Sequence, residues 1–279
     1  MKYALVTGAS SGFGMYTALE LAHQGYHVLA TMRDVNNRTQ IEGVAREQAI
    51  LERLTVLQLD VTKQEDLDRV ATYLEQHSIS VQVLVNNAGY CQSGFFQDLT
   101  EEEWQAQFQT NFFGAVRTTK ALLPFIPRDG SGKIIAISSV SGFFGFPGMS
   151  AYVSSKFALE GWGESLRLEL MNEGIWVSLV QPGAYRTKIW ERGLEKVAGL
   201  QTGNAFQQYL VKEAMKSRDN GADPREVARL VAHIAQKSKP RFRYPIGKGA
   251  KTLAIGKQWL AWSWIEGYVD RYLKGKGTK

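Results

Sequence analysis

Short apolar runs alternate with segments of helical period along most of this chain. Residues 3–6, 27–32, 55–59, 81–85, 134–137 and 175–180 are mostly Val, Leu, Ile and Ala. Such runs are apolar at successive positions, the pattern of strands covered on both faces. Residues 241–245 read as a last strand. Between the runs lie helical patterns. Ala18, Leu19, Leu21 and Ala22 lead up to Gly25, residues 38–52 form a second pattern, and a third begins near Lys63. Thr100 and Glu103 have the spacing of a capping box, which opens a helix over 100–123 that stops before Pro124. A further helix covers 151–173. Another starts at Asp223-Pro224 and carries Val227, Leu230, Val231 and Ile234. Strand–helix alternation of this kind predicts an α/β fold, with a mostly parallel sheet of about seven strands and helices on both faces.

With 279 residues, 44% of them hydrophobic, the chain is long enough for one large domain spanning 1–279. Two stretches stand apart. Residues 184–220 are polar and small with weak periodicity, as expected of a mobile substrate lid. Residues 247–279 form a basic, aromatic extension.

The candidate chemistry centres on 138–156. The run ending at Ile137 delivers Ser138 and Ser139, a Gly/Pro-rich loop follows, and Tyr152 and Lys156 stand four residues apart on the next helix, on one face. A phenol beside an ammonium is suited to proton transfer. Free tyrosine titrates near ~10, and bringing it to roughly 7 takes about 4 kcal/mol. A full charge ~4 Å away supplies ~4 kcal/mol at an effective dielectric of ~20. Lys156 is therefore expected to lower the tyrosine, and Ser139 can bond the same substrate oxygen. Upstream, Thr7-Gly8-Ala9-Ser10-Ser11-Gly12-Phe13-Gly14 lies between the first strand and first helix. That context suits a phosphate cradle, because glycines let backbone amides approach and the helix N-terminus adds positive potential.

These segments, in order, resemble the short-chain dehydrogenase/reductase family. The matching residues are Thr7-Gly8-x-x-x-Gly12-x-Gly14, Asp60-Val61-Thr62, Asn86-Asn87-Ala88-Gly89, Asn111, Ser139, Tyr152-x-x-x-Lys156 and Pro182-Gly183, over roughly the first 190 residues. The resemblance implies a single-domain Rossmann-type, doubly wound sheet that binds a nicotinamide dinucleotide at the carboxyl ends of its strands. It also implies an alcohol/carbonyl oxidoreductase with Ser139, Tyr152, Lys156 and Asn111 as its catalytic set, Asn111 holding a water linked to Lys156. Cofactor contacts are implied at Gly8, Ser10, Ser11, Gly12, Phe13, Gly14, Asp60, Val61, Asn87, Ala88, Gly89, Tyr152, Lys156, Pro182, Gly183 and Thr187. Asp60 could equally cap the helix near Lys63. The family's NAD-users carry an acid eighteen residues after the last loop glycine, a position occupied here by Met32. Arg33 follows and suits a 2′-phosphate, so NADP is expected over NAD, although Asp34 lies one place further on. Family precedent further implies a homodimer or homotetramer built on helices 100–123 and 151–173. The same fold could instead serve as a non-catalytic NADPH sensor, but intact Ser, Tyr and Lys favour the enzyme.

Composition narrows the remainder. Cys91 is the only cysteine, which precludes an internal disulfide or thiolate cluster and points to the cytoplasm; it is expected as a small residue lining the site mouth. No apolar run matches a membrane span, and the first residues are too short an apolar run for a signal peptide. The four histidines lie away from Ser139, no G-x-S-x-G is present, and no metal-ligand spacing occurs, so a serine hydrolase and a metal centre are excluded. The net charge of +6 is concentrated in 240–279, where nine Lys/Arg face Glu266 and Asp270, leaving the rest near neutral. That argues against nucleic acid as a partner. In the extension, Trp259, Trp262, Ile265, Val269 and Tyr272 make one apolar helical face. Packing on its own domain or a second subunit, peripheral contact with an anionic membrane, and a partner-protein site all remain open. Phe95, Phe96, Phe143, Phe144, Phe146, Met149, Tyr185 and Trp190 point to an apolar pocket and a lipophilic carbonyl or alcohol.

Overall fold

The computed structural model describes residues 1–187, 189, 212, 220–259 and 261–274. Most of the expected lid, and Trp190, lie outside them. Seven parallel strands form one sheet: β1 (Lys2–Val6), β2 (Tyr26–Met32), β3 (Leu54–Gln58), β4 (Val81–Asn86), β5 (Lys133–Ile137), β6 (Trp176–Pro182) and β7 (Arg243–Ile246), in the order β3-β2-β1-β4-β5-β6-β7. The order reverses between β1 and β4, and a crevice opens there at the carboxyl ends of the strands.

Alternate residues of each strand enter opposite layers, so the runs are apolar throughout. Ala4 and Val6 of β1, Val28 and Ala30 of β2, and Val83 and Val85 of β4 share one core with α1 (Gly12–His23), α2 (Thr39–Glu47) and α7 (Arg225–Gln236). Leu5, Leu29, Leu84 and Ile134 enter the other, against α3 (Gln64–Gln76), α5 (Gly114–Leu122) and α6 (Ser150–Met171). This is the doubly wound arrangement expected.

Several boundaries differ from the expectation. The helix over 38–52 is only α2, flanked by 3₁₀ turns at Val35–Arg38 and Leu51–Arg53. The helix over 100–123 begins with the expected capping box, in which Glu103 N donates to Thr100 Oγ1 (3.3 Å) and Thr100 N donates to Glu103 Oε2 (2.9 Å). It is not continuous: α4 (Glu101–Phe108) passes into a π turn, Gln109–Phe113, before α5 resumes. The extension is likewise two helices, α8 (Ala250–Trp259) and α9 (Trp262–Lys274).

A side-chain stitch holds the ends of β1 and β4 together. Thr7 Oγ1 accepts from both Asn87 N and Ala88 N (2.9 Å each). In return Asn87 Nδ2 donates to Thr7 O (2.8 Å) and Gly8 O (3.1 Å). Thr7→Val keeps the shape and removes the acceptor, leaving two backbone N–H groups unpaired. A loss of about 2–6 kcal/mol in denaturant unfolding is expected, at about 1–3 kcal/mol for each of the two unsatisfied donors.

Candidate active site

The crevice is a cavity of about 1290 Å³, larger than the roughly 300–1,000 Å³ of single-ligand pockets. Its floor is the glycine turn after β1. Gly8 and Gly12 have φ of +67° and +56°, in the left-handed region that favours glycine. A Cβ on Gly14 would lie 2.2 Å from Gly8 O, so only glycine lets α1 start this close to the strand. Ser11 at the α1 N-cap makes no side-chain cap, so the first-turn N–H groups remain available to an anion. Among the expected cofactor residues, Gly8, Ser10, Ser11, Gly12, Phe13, Arg33, Asp60, Val61, Asn87, Ala88, Gly89, Tyr152, Lys156, Pro182, Gly183 and Thr187 all border this cavity. Gly14 shapes it from behind.

The end of β2 separates Arg33 from Asp34. Met32 and Arg33 border the cavity, whereas Asp34 is turned to its own chain, with Oδ1 accepting from Asn36 N (2.9 Å) and Oδ2 from Asn37 Nδ2 (3.2 Å). Asp60 does not cap α3. Its Oδ1 accepts from Thr62 N (2.9 Å) and Thr62 Oγ1 (2.7 Å), closing its own turn, and the α3 N-cap is Lys63.

Ser138 and Ser139 follow directly after β5, and Tyr152 and Lys156 stand in the first turns of α6; all four are buried at the cavity. Ser139 Oγ accepts from Ser141 N (3.1 Å), which orients the hydroxyl, while Ser138 Oγ has no partner among the described residues. Lys156 Nζ donates to Ile137 O (2.8 Å) and lies 5.7 Å from the Tyr152 ring centroid. Burial pushes the Tyr152 phenol well above the ordinary range, and a bond to the Ser139 hydroxyl works in the opposite direction. Lys156 is itself lowered by burial to about 8, with Glu160 one turn on pulling back upward. The expected lowering of the phenol by Lys156 is not the net direction in the fold. In the fold, desolvation is the larger effect on both groups.

Asn111 lies in the π turn, buried behind the cavity. Its Oδ1 accepts from Tyr90 N (3.0 Å), and Nδ2 donates to Tyr90 O (2.9 Å) and Ser155 Oγ (3.3 Å). Both amide hydrogens are thus taken, and the side chain ties the Gly89-Tyr90 segment to α6. Cys91 also sits deeper than expected: fully buried, 3.7 Å from Ser93 Oγ and 3.9 Å from Met149 Sδ, with burial raising its thiol to about 12. Of the expected apolar pocket, Phe95, Phe146, Met149 and Tyr185 border the cavity. Phe96 is 77% exposed, and Phe143 and Phe144 are not in the lining. Lys248, Ala250 and Leu253 also line the cavity and were missed. Their only signal is that they follow the last strand, whose carboxyl end opens on the crevice.

A doubly wound α/β fold with a glycine turn at its switch point and a Ser-Tyr-Lys cluster facing the cleft defines a dinucleotide-cleft protein. Residues 2–198 match the family model of the short chain dehydrogenases. The chain is 38% identical over 277 residues to the uncharacterized oxidoreductase YusZ of Bacillus subtilis, covering 98% of each. It is 37% identical over 253 residues to retinol dehydrogenase 8 of Bos taurus, covering 87% of this chain and 80% of that one. A crystal structure of a short-chain dehydrogenase from Streptomyces avermitilis superposes with a TM-score of 0.79 at 31% identity, over 100% of this chain and 98% of that one. The chain belongs to the short-chain dehydrogenase/reductase family of oxidoreductases, as the resemblance implied.

A buried ammonium with a depressed pKa costs stability. Between pH 8 and 10.5 the unfolded chain holds the Lys156 proton more tightly than the fold does, so this penalty is complete below that window and gone above it. Lys156→Met is expected to raise unfolding free energy at pH 7 by roughly 1–3 kcal/mol, the advantage over wild type shrinking as pH rises through the window. Denaturant melts at several pH values measure it.

Proposed function

We propose that the protein is an NADP(H)-dependent oxidoreductase that interconverts an alcohol and a ketone or aldehyde. The observation carrying this reading is the convergence of Ser139, Tyr152 and Lys156 on the same cavity as the glycine turn. The residues fit a dinucleotide: the glycine turn borders the cavity in a left-handed conformation at Gly8 and Gly12, the α1 N-terminus has no side-chain cap, and Ser138 Oγ lacks a partner among the described residues. When bound, the nicotinamide supplies or accepts the hydride. Tyr152 Oη gives its proton to the oxygen of the reduced carbonyl, or takes it back in the reverse direction. Ser139 Oγ donates a hydrogen bond to that oxygen and holds it at the phenol. Lys156, protonated, stabilises the phenolate left behind, and the raised phenol pKa keeps the proton in place until the substrate oxygen becomes basic. Asn111 acts as a positioning residue through Tyr90 and Ser155.

Arg33 supports NADP, since it borders the cavity while the neighbouring carboxylate is engaged elsewhere. Phe95, Phe146, Met149 and Leu253 support a lipophilic substrate. Phe157, Leu168 and Met171, exposed along one side of α6, support a homodimer or homotetramer through that helix. A sensor with no chemistry to perform would have no use for a buried lysine that weakens the fold, which favours the enzyme.

Tyr152→Phe is expected to lower kcat by a factor on the order of 10³ or more while leaving the Kd for NADPH within about threefold, since the loss falls on proton transfer. Stopped assays with a panel of aromatic ketones and NADPH, paired with cofactor titration, check both; retained turnover overturns the assignment. Arg33→Ala should raise the KM for NADPH by about 10–30-fold and leave NADH little changed, the loss of one charge-assisted contact to a phosphate.

A further inference from the structure

The two sides of α8 are chemically opposite. Ala250 is buried, and Leu253 reaches the cavity. On the other side Ile255 and Trp259, one turn apart, are 62% and 83% exposed, with Lys251 exposed beside them. At the start of α9, Trp262 and Trp264 are 53% and 72% exposed. Trp262 is held in place from both sides. Lys257 Nζ lies 4.6 Å from its ring centroid, and its Nε1 donates to Glu266 Oε1 (2.8 Å). Three indoles in six residues, exposed and flanked by cations, form a patch that the body of the fold leaves uncovered.

We propose that α8 and α9 dock this protein on the surface of an anionic lipid bilayer, with the indoles in the headgroup region and Lys251 and Arg271 against the lipid charge. Charge selects the occupant. The extension, residues 247–279, carries seven Lys/Arg against two acids, whereas everything before it sums to only +1. A second copy on this face would bring two such positive segments together, but an anionic surface complements them. Indoles with a polar edge and an apolar body are suited to the interface, and no described helix is long and apolar enough to cross a membrane, so the segment lies on the bilayer. Because α8 also borders the cavity, docking brings the substrate cavity next to the lipid. The delivery of a lipophilic substrate rests on the function proposed above; the docking does not.

Flotation of the full chain with phosphatidylcholine vesicles and with mixed phosphatidylcholine/phosphatidylglycerol vesicles tests it without any turnover. The expected result is flotation with the mixed vesicles only, weakened by salt. Trp259→Ala/Trp262→Ala/Trp264→Ala is expected to lower binding by on the order of tenfold or more, as is Lys251→Glu/Arg271→Glu, with the thermal melts of both variants close to wild type. Absence of flotation with mixed vesicles, equal flotation with phosphatidylcholine alone, or wild-type binding by both variants would overturn it. So would a dimer in sedimentation equilibrium that the indole variant abolishes, which would assign the patch to a second copy. A chain that floats but reduces no carbonyl keeps this inference and loses the proposed reaction; one that reduces carbonyls but never floats does the reverse.

Discussion

The structure depends on holding two adjacent parallel strands together at the point where the chain's winding changes direction. Beyond Val6 and Asn86 the β1 and β4 ladders end, and backbone groups that would otherwise face solvent need partners. Thr7 and Asn87 supply them reciprocally, hydroxyl to two amides and amide to two carbonyls. The glycine turn can therefore leave β1 and enter α1 without a side chain of its own for support. Three parts of the crevice are joined at this junction: the turn on one side, the Asn87–Gly89 segment on the other, and through Tyr90 and Asn111 the π turn beyond. Asn111 joins the strand end to the helical layer, and Ser155 ties it to the helix bearing Tyr152 and Lys156.

The Tyr152–Lys156 pair shows a conflict that a solvated model would miss. Burial disfavours each charged form, raising the phenol and lowering the ammonium. The carbonyl of Ile137 stabilises the ammonium by hydrogen bonding, and Glu160 supports it from the next turn. Glu160 is itself held by Gln181 Nε2 (2.9 Å) and Arg243 Nε (2.8 Å), so β6 and β7 contribute to the electrostatics of a lysine on α6. A site built this way keeps the phenol neutral and holds the lysine pKa at about 8.

The opening fold and the extension divide the labour along physical lines. The body buries apolar strands on both faces and carries little net charge. The final two helices add cations and indoles that this core does not need, and α8 is where the two parts meet, with one side at the cavity and the other in solvent.

Much of this was readable in the chain itself. A parallel sheet covered on both faces demands uninterrupted apolar runs, so strand positions and the α/β class followed from hydrophobicity alone, as did the capping box at Thr100 and the glycine turn, whose steric requirements are local. The Ser139, Tyr152 and Lys156 spacing was likewise visible, because strand ends and helical faces convert sequence separation into direction. What only the tertiary structure decided depends on surroundings. The π turn at Asn111 inserts one residue into a ladder without changing the apolar period, and the break after Trp259 interrupts a pattern that a single helix would satisfy equally well. Asp34 and Asp60 are acids that spacing rules could assign to a ligand or a cap, and neighbouring amides and a hydroxyl turned both toward their own turns. The direction of the Tyr152 shift and the depth of Cys91 are properties of desolvation, which sums over every element packed around a group and so has no local sequence pattern.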